Sequence, residues 1–376
     1  VEYNLEELSC EITNSCAGKC IHCSSEAGLP WKEELSLLQW MNLIEQVKGM
    51  GAEVISLSGG DPLMYTHWQT LVEFILSRGM DVLFYTCGFK IKGEEWIGKI
   101  TDEDLSYLST KFKDTNSRLI LSLEGATEET HDKMFGYPGA FVILTELIIP
   151  MAVEVGLKVE LHFTPTAINV HEVGAFLDLA EKLGVERVSF LRLVPQGRAE
   201  INRGQLMLTP EQFLELQTIL HDYEGEIPFR IGCPLNFGHL LGYVDERPKC
   251  HAGQDLLLVR PDGEVHCCAG WKNCKSLSLG NVKDMSLRDI WQNSAVLQEI
   301  RDFNGNKAVG GFCLDCPWMA KCGGGCPAQR VILNQFMGVK DAHKQLFGGV
   351  DPMCPRFNNL IADFDIKELR KELKTK

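Results

Sequence analysis

The chain has 376 residues, 45% of them hydrophobic, enough for one large core or two unequal ones, which excludes a disordered protein. Its formal net charge of −14 sets most of the surface against a polyphosphate backbone, so no nucleic-acid partner is expected. With no run of about 18 apolar residues and no basic-then-apolar stretch at the N-terminus, neither a membrane span nor a signal peptide is expected, and the expected location is cytoplasmic. Short runs rich in Val, Ile, Leu and Phe fall at 8–13, 53–58, 81–86, 118–123, 158–164 and 187–193, each the length of a buried strand. Between them, 36–50, 67–77, 141–155 and 171–182 carry helical periodicity, and several stop at glycine (Gly51, Gly79, Gly156, Gly184). Such β/α alternation forces right-handed crossovers and a parallel sheet, either open or curled into a complete or partial barrel. Chemistry is then expected in the loops at the C-terminal strand ends.

From about Thr209 the pattern changes. One more helix (210–223) leads into a segment dense in Cys and Gly, in which 256–266 reads as a hairpin turning at Pro261-Asp262-Gly263. Residues 366–376 read as a charged surface helix.

Fifteen cysteines in a chain with no export signal point to metal ligands rather than disulfides. Cys16, Cys20 and Cys23 follow the first strand run, so three thiolates converge in one loop. A [4Fe–4S] cube usually takes four cysteines, and three leave one iron open to another ligand. Zinc would need a fourth ligand; His22 is the candidate, but it lies too close to Cys23 to complete a relaxed tetrahedron easily.

The C-x3-C-x2-C spacing resembles the signature of the radical S-adenosylmethionine (SAM) superfamily. Ser58-Gly59-Gly60-Asp61-Pro62 resembles that family's Gly-Gly-Glu-Pro motif, which receives the SAM amino group, with Asp61 in place of the usual Glu. Ser122-Leu-Glu124-Gly125 is similar to the Ser-x-Asp-Gly segment near the SAM methionine and ribose, again with one carboxylate exchanged. The resemblance implies that His22 lies by the adenine and that Gly59, Gly60, Asp61, Ser122 and Glu124 bind SAM. It further implies a partial (β/α)6 TIM-like barrel over 1–208, an electron donor such as flavodoxin or ferredoxin, and cleavage of SAM to a 5′-deoxyadenosyl radical. Arg198, in the loop after the sixth run, either pairs with a substrate or SAM carboxylate as a catalytic group or is an exposed loop residue.

A second set, Cys313-x2-Cys316-x5-Cys322-x3-Cys326 with Cys354, is preceded by Cys250 and by Gly263-x4-Cys268. This pattern resembles the SPASM domain, which holds two auxiliary [4Fe–4S] clusters. The resemblance implies Cys250, Cys268 and Cys326 on one cluster and Cys313, Cys316, Cys322 and Cys354 on the other, with Cys233 as candidate for the missing ligand and three clusters in all. It divides the chain into the barrel, a connecting helix and linker (209–232), a SPASM domain (233–360) and a tail helix (361–376). Cys10, Cys87, Cys267 and Cys274 are left over; Cys267 and Cys274 could replace a neighbouring ligand, while Cys10 and Cys87 suit core positions. A zinc ribbon is the alternative for the C-x2-C pairs, which would make the chain a zinc-stabilised binding protein.

SPASM enzymes mostly modify peptides, so the resemblance implies oxidative cross-linking of a ribosomally made peptide. Oxidation of a tetrapyrrole or another small molecule, or sulfatase maturation, is the alternative. Ala269 follows Cys268 where a sulfatase maturase is expected to carry a general-base Asp, which lowers that reading. Only fifteen residues precede Cys16, so no leader-binding module is expected there; leader binding, where needed, would fall to a separate small protein or to the barrel and SPASM surfaces.

Overall fold

The structure, a computed structural model, describes residues 3–92, 96–232, 235, 237–238, 250–304, 311–336 and 349–358. The strands in chain order are β1 (Glu7–Thr13), β2 (Val54–Gly59), β3 (Asp81–Thr86), the small hairpin β4 (Phe89–Lys92) and β5 (Trp96–Lys99), β6 (Arg118–Ser122), β7 (Val159–Phe163) and β8 (Arg187–Phe190). They continue with β9 (Phe229–Ile231), β10 (Leu256–Val259), β11 (Glu264–His266) and β12 (Gly280–Asn281). β1, β2, β3, β6, β7 and β8 are the six expected runs, and they pair in that order, all parallel. The sheet extends at both edges. β9 joins β8 in parallel, and β10 joins β1 in parallel with Glu7 opposite Leu256, carrying the antiparallel β11 and β12 beyond it.

Alternation along each strand divides the sheet into two faces. Leu8, Cys10 and Ile12 of β1 and Val82 and Phe84 of β3 are fully buried, in one core with Trp40, Leu43, Ile44 and Val47 of the helix Leu37–Lys48. Each such Leu, Ile or Phe contributes about 1.5–3 kcal/mol. The other face is polar: Glu7, Ser9, Glu11, Ser56, Tyr85, His162 and Arg230 share one cavity with Leu256 and Leu258. Because β9 and β10 flank opposite ends of the six parallel strands β1 to β8 yet line that same cavity, the sheet curls around it as a partial barrel.

The helices follow the sequence with one informative exception. Ser36 and Thr209 cap the helices Leu37–Lys48 and Pro210–Asp222 with capping boxes to Gln39 and Gln212. The run expected as one helix over 141–155 is instead helix, a π turn at Leu144–Ile148 and helix again to Glu154. Pro150 has no N–H to return to the carbonyl of Glu146, and the widened turn accommodates that loss. The helices Asp102–Phe112 and Glu128–Phe135 were not anticipated. Among the described residues, no single helix is long and apolar enough to cross a membrane. The expected helix at 366–376 lies outside the described residues, as does Cys233.

Three buried polar contacts, besides the β1–β10 pairing, fix the cysteine-rich segment to the barrel. Lys272 Nζ lies 2.5 Å from Glu11 Oε1 and donates to Ser25 Oγ of the cysteine loop. Arg192, just past β8, makes a two-pronged pair with Asp351 at 2.7 and 2.8 Å. Gln329 Nε2 donates to the carbonyl of Leu193 at 2.9 Å.

Candidate functional site

The loop after β1 is held almost wholly through its backbone. Cys16 N donates to Gly28 O, while Lys19 N and Ile21 N donate to Phe135 O and Met134 O at the end of the helix Glu128–Phe135. Arg198 closes the far side: Nε donates to Cys20 O at 2.8 Å, Nη1 to Ala27 O at 2.7 Å, and its own N–H to Cys23 O. Arg198 thus braces the loop with two of its five guanidinium donors committed to carbonyls, and it lines the cavity described next.

Held in this way, Cys16, Cys20 and Cys23 line a cavity of ≈ 330 Å³ together with His22, Ser58, Gly59, Gly60, Ser122 and Glu124. The two glycines are required by the loop itself. A Cβ on Gly59 would come 2.3 Å from Thr13 O, and one on Gly60 would come 2.2 Å from Ser15 O. The end of β2 therefore runs directly against the base of the loop, with Gly60 N donating to Thr13 O.

Asp61 departs from the expectation that its carboxylate meets the SAM amine. It is 1% exposed, and both oxygens are occupied: Leu63 N and Cys87 N donate to them at 3.0 and 2.8 Å, and Thr86 Oγ1 lies 2.8–2.9 Å from each. An Asp reaches one methylene less far than a Glu, and here it ends inside the turn instead of in the cavity. Burial raises its pKa above the ordinary carboxylate value despite those donors.

Glu124 does face the cavity. Its Oε1 lies 3.2 Å from His22 Nε2, and its Oε2 accepts from Thr164 N at 2.8 Å. Burial pushes its pKa up, but His22 and the Thr164 donor outweigh it and leave the carboxyl below its ordinary value. Glu124 N donates to His131 Nδ1 at 3.0 Å, so the His131 hydrogen sits on Nε2; burial lowers this imidazole to about 4 and keeps it neutral.

These residues fit the cofactors implied by the motifs. Burial and the neighbouring Cys16 and Cys23 thiols push the Cys20 thiol well above its ordinary pKa, a condition that bound iron relieves. Among the described residues no three His, Cys, Asp or Glu side chains converge to hold a single metal ion, as zinc would require, whereas thiolates on a cube each address a different iron. Among the described residues, buried His22 Nδ1 and His131 Nε2 have no hydrogen-bond partner, and both side chains line the cavity, which suits a polar ligand there.

The other cysteines gather in two places. Cys313, Cys316, Cys322 and Cys354 line one small cavity, with Cys354 pushed up to about 12 chiefly by burial. Cys268 and Cys326 line the barrel-side cavity of ≈ 380 Å³, and Cys250 lies close enough to raise the pKa of both, Cys326 reaching about 11 chiefly through burial. Cys10 is wholly buried in the core, and Cys267 and Cys274 are buried too. Cys87, expected in the core, packs against it partly buried and also lines the first cavity.

Four side chains of the site escaped the sequence reading: His131, Glu160, His162 and Arg192. His131 is brought in by a helix whose amphipathic pattern was not singled out. Glu160 and His162 did carry a signal, two ionisable residues spaced by two in an otherwise apolar buried strand, hence on one face.

Residues 10–183 match the model of the radical SAM superfamily, and residues 250–317 match that of an iron-sulfur cluster-binding domain, SPASM. The chain is 27% identical over 353 residues to the mycofactocin maturase MftC of Mycobacterium tuberculosis, covering 92% of this chain and 82% of that one. It is 25% identical over 351 residues to the AdoMet-dependent heme synthase of Oleidesulfovibrio alaskensis, covering 87% and 84%. Its fold is similar to that of Streptococcus suis SuiB bound to the precursor peptide SuiA, with a TM-score of 0.73 at 18% identity over 94% of this chain and 76% of that one.

Proposed function

Because the chain belongs to the radical SAM superfamily, enzymes of S-adenosylmethionine and iron-sulfur clusters, and carries a SPASM domain, we propose that it oxidatively cross-links a ribosomally made peptide. The observation that carries this reading is the junction of two cavities. The one faced by Cys16, Cys20 and Cys23 and the one faced by Cys268 and Cys326 share Ser58, Tyr85, His162, Leu191, Arg192, Val194 and Ala269. A substrate at that junction touches the site of hydrogen abstraction on one side and an electron acceptor on the other.

In this reading Cys16, Cys20 and Cys23 hold the SAM-cleaving cluster, and His22, Gly59, Gly60, Ser122 and Glu124 bind SAM. Bound there, SAM and its reduced cluster supply a 5′-deoxyadenosyl radical that removes a hydrogen atom from the substrate. The chain's own part is to keep the loop fixed through Arg198, to hold Glu124 ionised beside His22, and to exclude water with Leu191, Leu193 and Val194. Cys250, Cys268 and Cys326 serve one auxiliary cluster, with Cys233 as the candidate fourth ligand, and Cys313, Cys316, Cys322 and Cys354 serve the other. Three cubes make about twelve iron atoms per chain. The reading divides the chain at 208 and 233, sets it in the cytoplasm, and requires a reductant such as flavodoxin or ferredoxin, with a small leader-binding protein where the peptide needs one.

A peptide is supported by the maturase among the relatives and by the fold shared with a protein crystallised on its precursor peptide. The heme synthase among the relatives supports the second reading, a tetrapyrrole substrate. The test is incubation of a precursor peptide encoded beside the gene with enzyme, SAM and reductant. Loss of two hydrogens per cross-link, located by tandem mass spectrometry, is the expected outcome. SAM cleavage stimulated only by a porphyrin, with every neighbouring peptide unmodified, would overturn the peptide.

A further inference from the structure

Glu160 of β7 has no exposed surface and is encircled by donors. Ser189 Oγ donates at 2.5 Å, Arg187 Nε at 2.6 Å, and Arg230 Nε stands 3.6 Å away. The remaining contact is His162 Nε2, 3.1 Å from Oε1. An ionised carboxylate only accepts, so the hydrogen of His162 must sit on Nε2, leaving Nδ1 with a free lone pair. Nδ1 makes no hydrogen bond among the described residues and, unlike His131 Nε2, keeps accessible surface. His162 is 6% exposed and lines both cavities, so that surface opens onto their junction.

The groups packed around the ring leave it no competitor there. Tyr85 of β3 meets it edge-on at 5.2 Å between centroids, and burial pushes that phenol above its ordinary pKa. Burial holds the imidazole below its ordinary pKa, with Glu160 and, from the end of β6, Glu124 opposing that shift and Arg230 from β9 adding to it. The third ionisable group at the junction, Arg192, is paired with Asp351. Among the described residues that line both cavities, only His162 offers a basic nitrogen.

We propose that His162, oriented by Glu160, is the base that takes up the proton released when the substrate radical is oxidised. The proposal rests on the reading of the site given under Proposed function. Hydrogen-atom removal leaves a carbon radical on the substrate. When that carbon bonds to the heteroatom or carbon of a neighbouring X–H group, the X–H bond breaks and one electron and one proton are left over. The electron passes to an oxidised auxiliary iron-sulfur cluster on the Cys268 side, and the proton passes to His162 Nδ1. A base in this position is worth roughly a hundredfold or more in rate.

The test compares the parent with His162→Ala and His162→Gln in D₂O, using whichever substrate the parent turns over. In the variants, iron content stays at the parent value and 5′-deoxyadenosine still forms. Oxidised product per 5′-deoxyadenosine falls about a hundredfold, and the recovered substrate carries deuterium where the radical takes an electron from the reductant and a deuteron from solvent. Added imidazole restores product in His162→Ala but not in His162→Gln, which leaves no space for it. An unchanged ratio of product to 5′-deoxyadenosine, or loss of SAM binding in both variants, would overturn the role of His162. A parent that modifies no peptide but oxidises another substrate counts against the peptide reading alone, and the same ratio still judges His162.

Discussion

The two cysteine regions of this protein are built on opposite plans. The loop of Cys16, Cys20 and Cys23 is local: its thiols lie within eight consecutive residues, and backbone hydrogen bonds to Gly28, Met134 and Phe135, with Arg198 as clamp, set their directions. The SPASM thiols are gathered from Cys250 to Cys354, and their geometry depends on buried ionic contacts with the barrel, Arg192 with Asp351 above all. Asp351 also accepts from Cys326 N and Met353 N, so one carboxylate orients both the interface and the strip of chain around two cysteines. A local site is disabled through its own ligands, whereas a dispersed one is disabled through the contacts that assemble it.

The sharpest separation comes from replacing Cys16, Cys20 and Cys23 together with Ala. 5′-Deoxyadenosine formation should cease while auxiliary iron stays, as measured by chromatography and iron analysis on the same sample; nucleoside production at the parent rate breaks the division of labour. The reverse experiment is Arg192→Met, which leaves the Asp351 carboxylate buried without its partner. A cost of about 3–5 kcal/mol is expected, read as a lowered thermal midpoint and loss of auxiliary iron, with the iron of the first loop retained. Uniform iron loss from all sites would mean that the regions are not separable in this way.

Asp61 tests the local plan from within. Asp61→Ala strands Leu63 N, Cys87 N and the Thr86 hydroxyl, and about 2–3 kcal/mol of stability should go with them. SAM affinity in the fraction that remains folded should change little, as equilibrium dialysis would show, and a large loss of affinity at unchanged stability would restore Asp61 to the cofactor. The smallest effect expected is in the pH profile. His131 has a folded pKa of about 4, below its ordinary 6.5, so the unfolded chain takes up the proton first. Its contribution is complete above pH 6.5, drains away as the pH falls from 6.5 to 4, and is level below, an amount of at most about 3 kcal/mol. His131→Gln should flatten the stability profile in that window, and a parent-like slope there would assign the loss to other groups.

The contrast between local and dispersed also governs what the sequence could reveal. Strand runs and the first cysteine loop are short-range patterns, and all six strands and the three converging thiols stand where the periodicity and spacing put them. Which way Asp61 turns depends on Thr86 and Cys87 across the sheet, a matter no spacing encodes. The same holds for β10, whose place beside β1 is settled by pairing between distant segments rather than by its own composition. The π turn, by contrast, was written locally in Pro150, and a helix drawn through it overlooked a missing donor.

The β1–β10 pairing has a consequence for biosynthesis. At about 5–20 residues per second, the roughly 250 residues between Glu7 and Leu256 take on the order of 10–50 s to emerge from a ribosome. Throughout that interval β1 waits with one row of backbone donors and acceptors uncovered, a ready template for another nascent strand. Expression stopped short of the hairpin should therefore yield a barrel that self-associates along β1, and slowed translation across the middle of the message should aggravate the same failure.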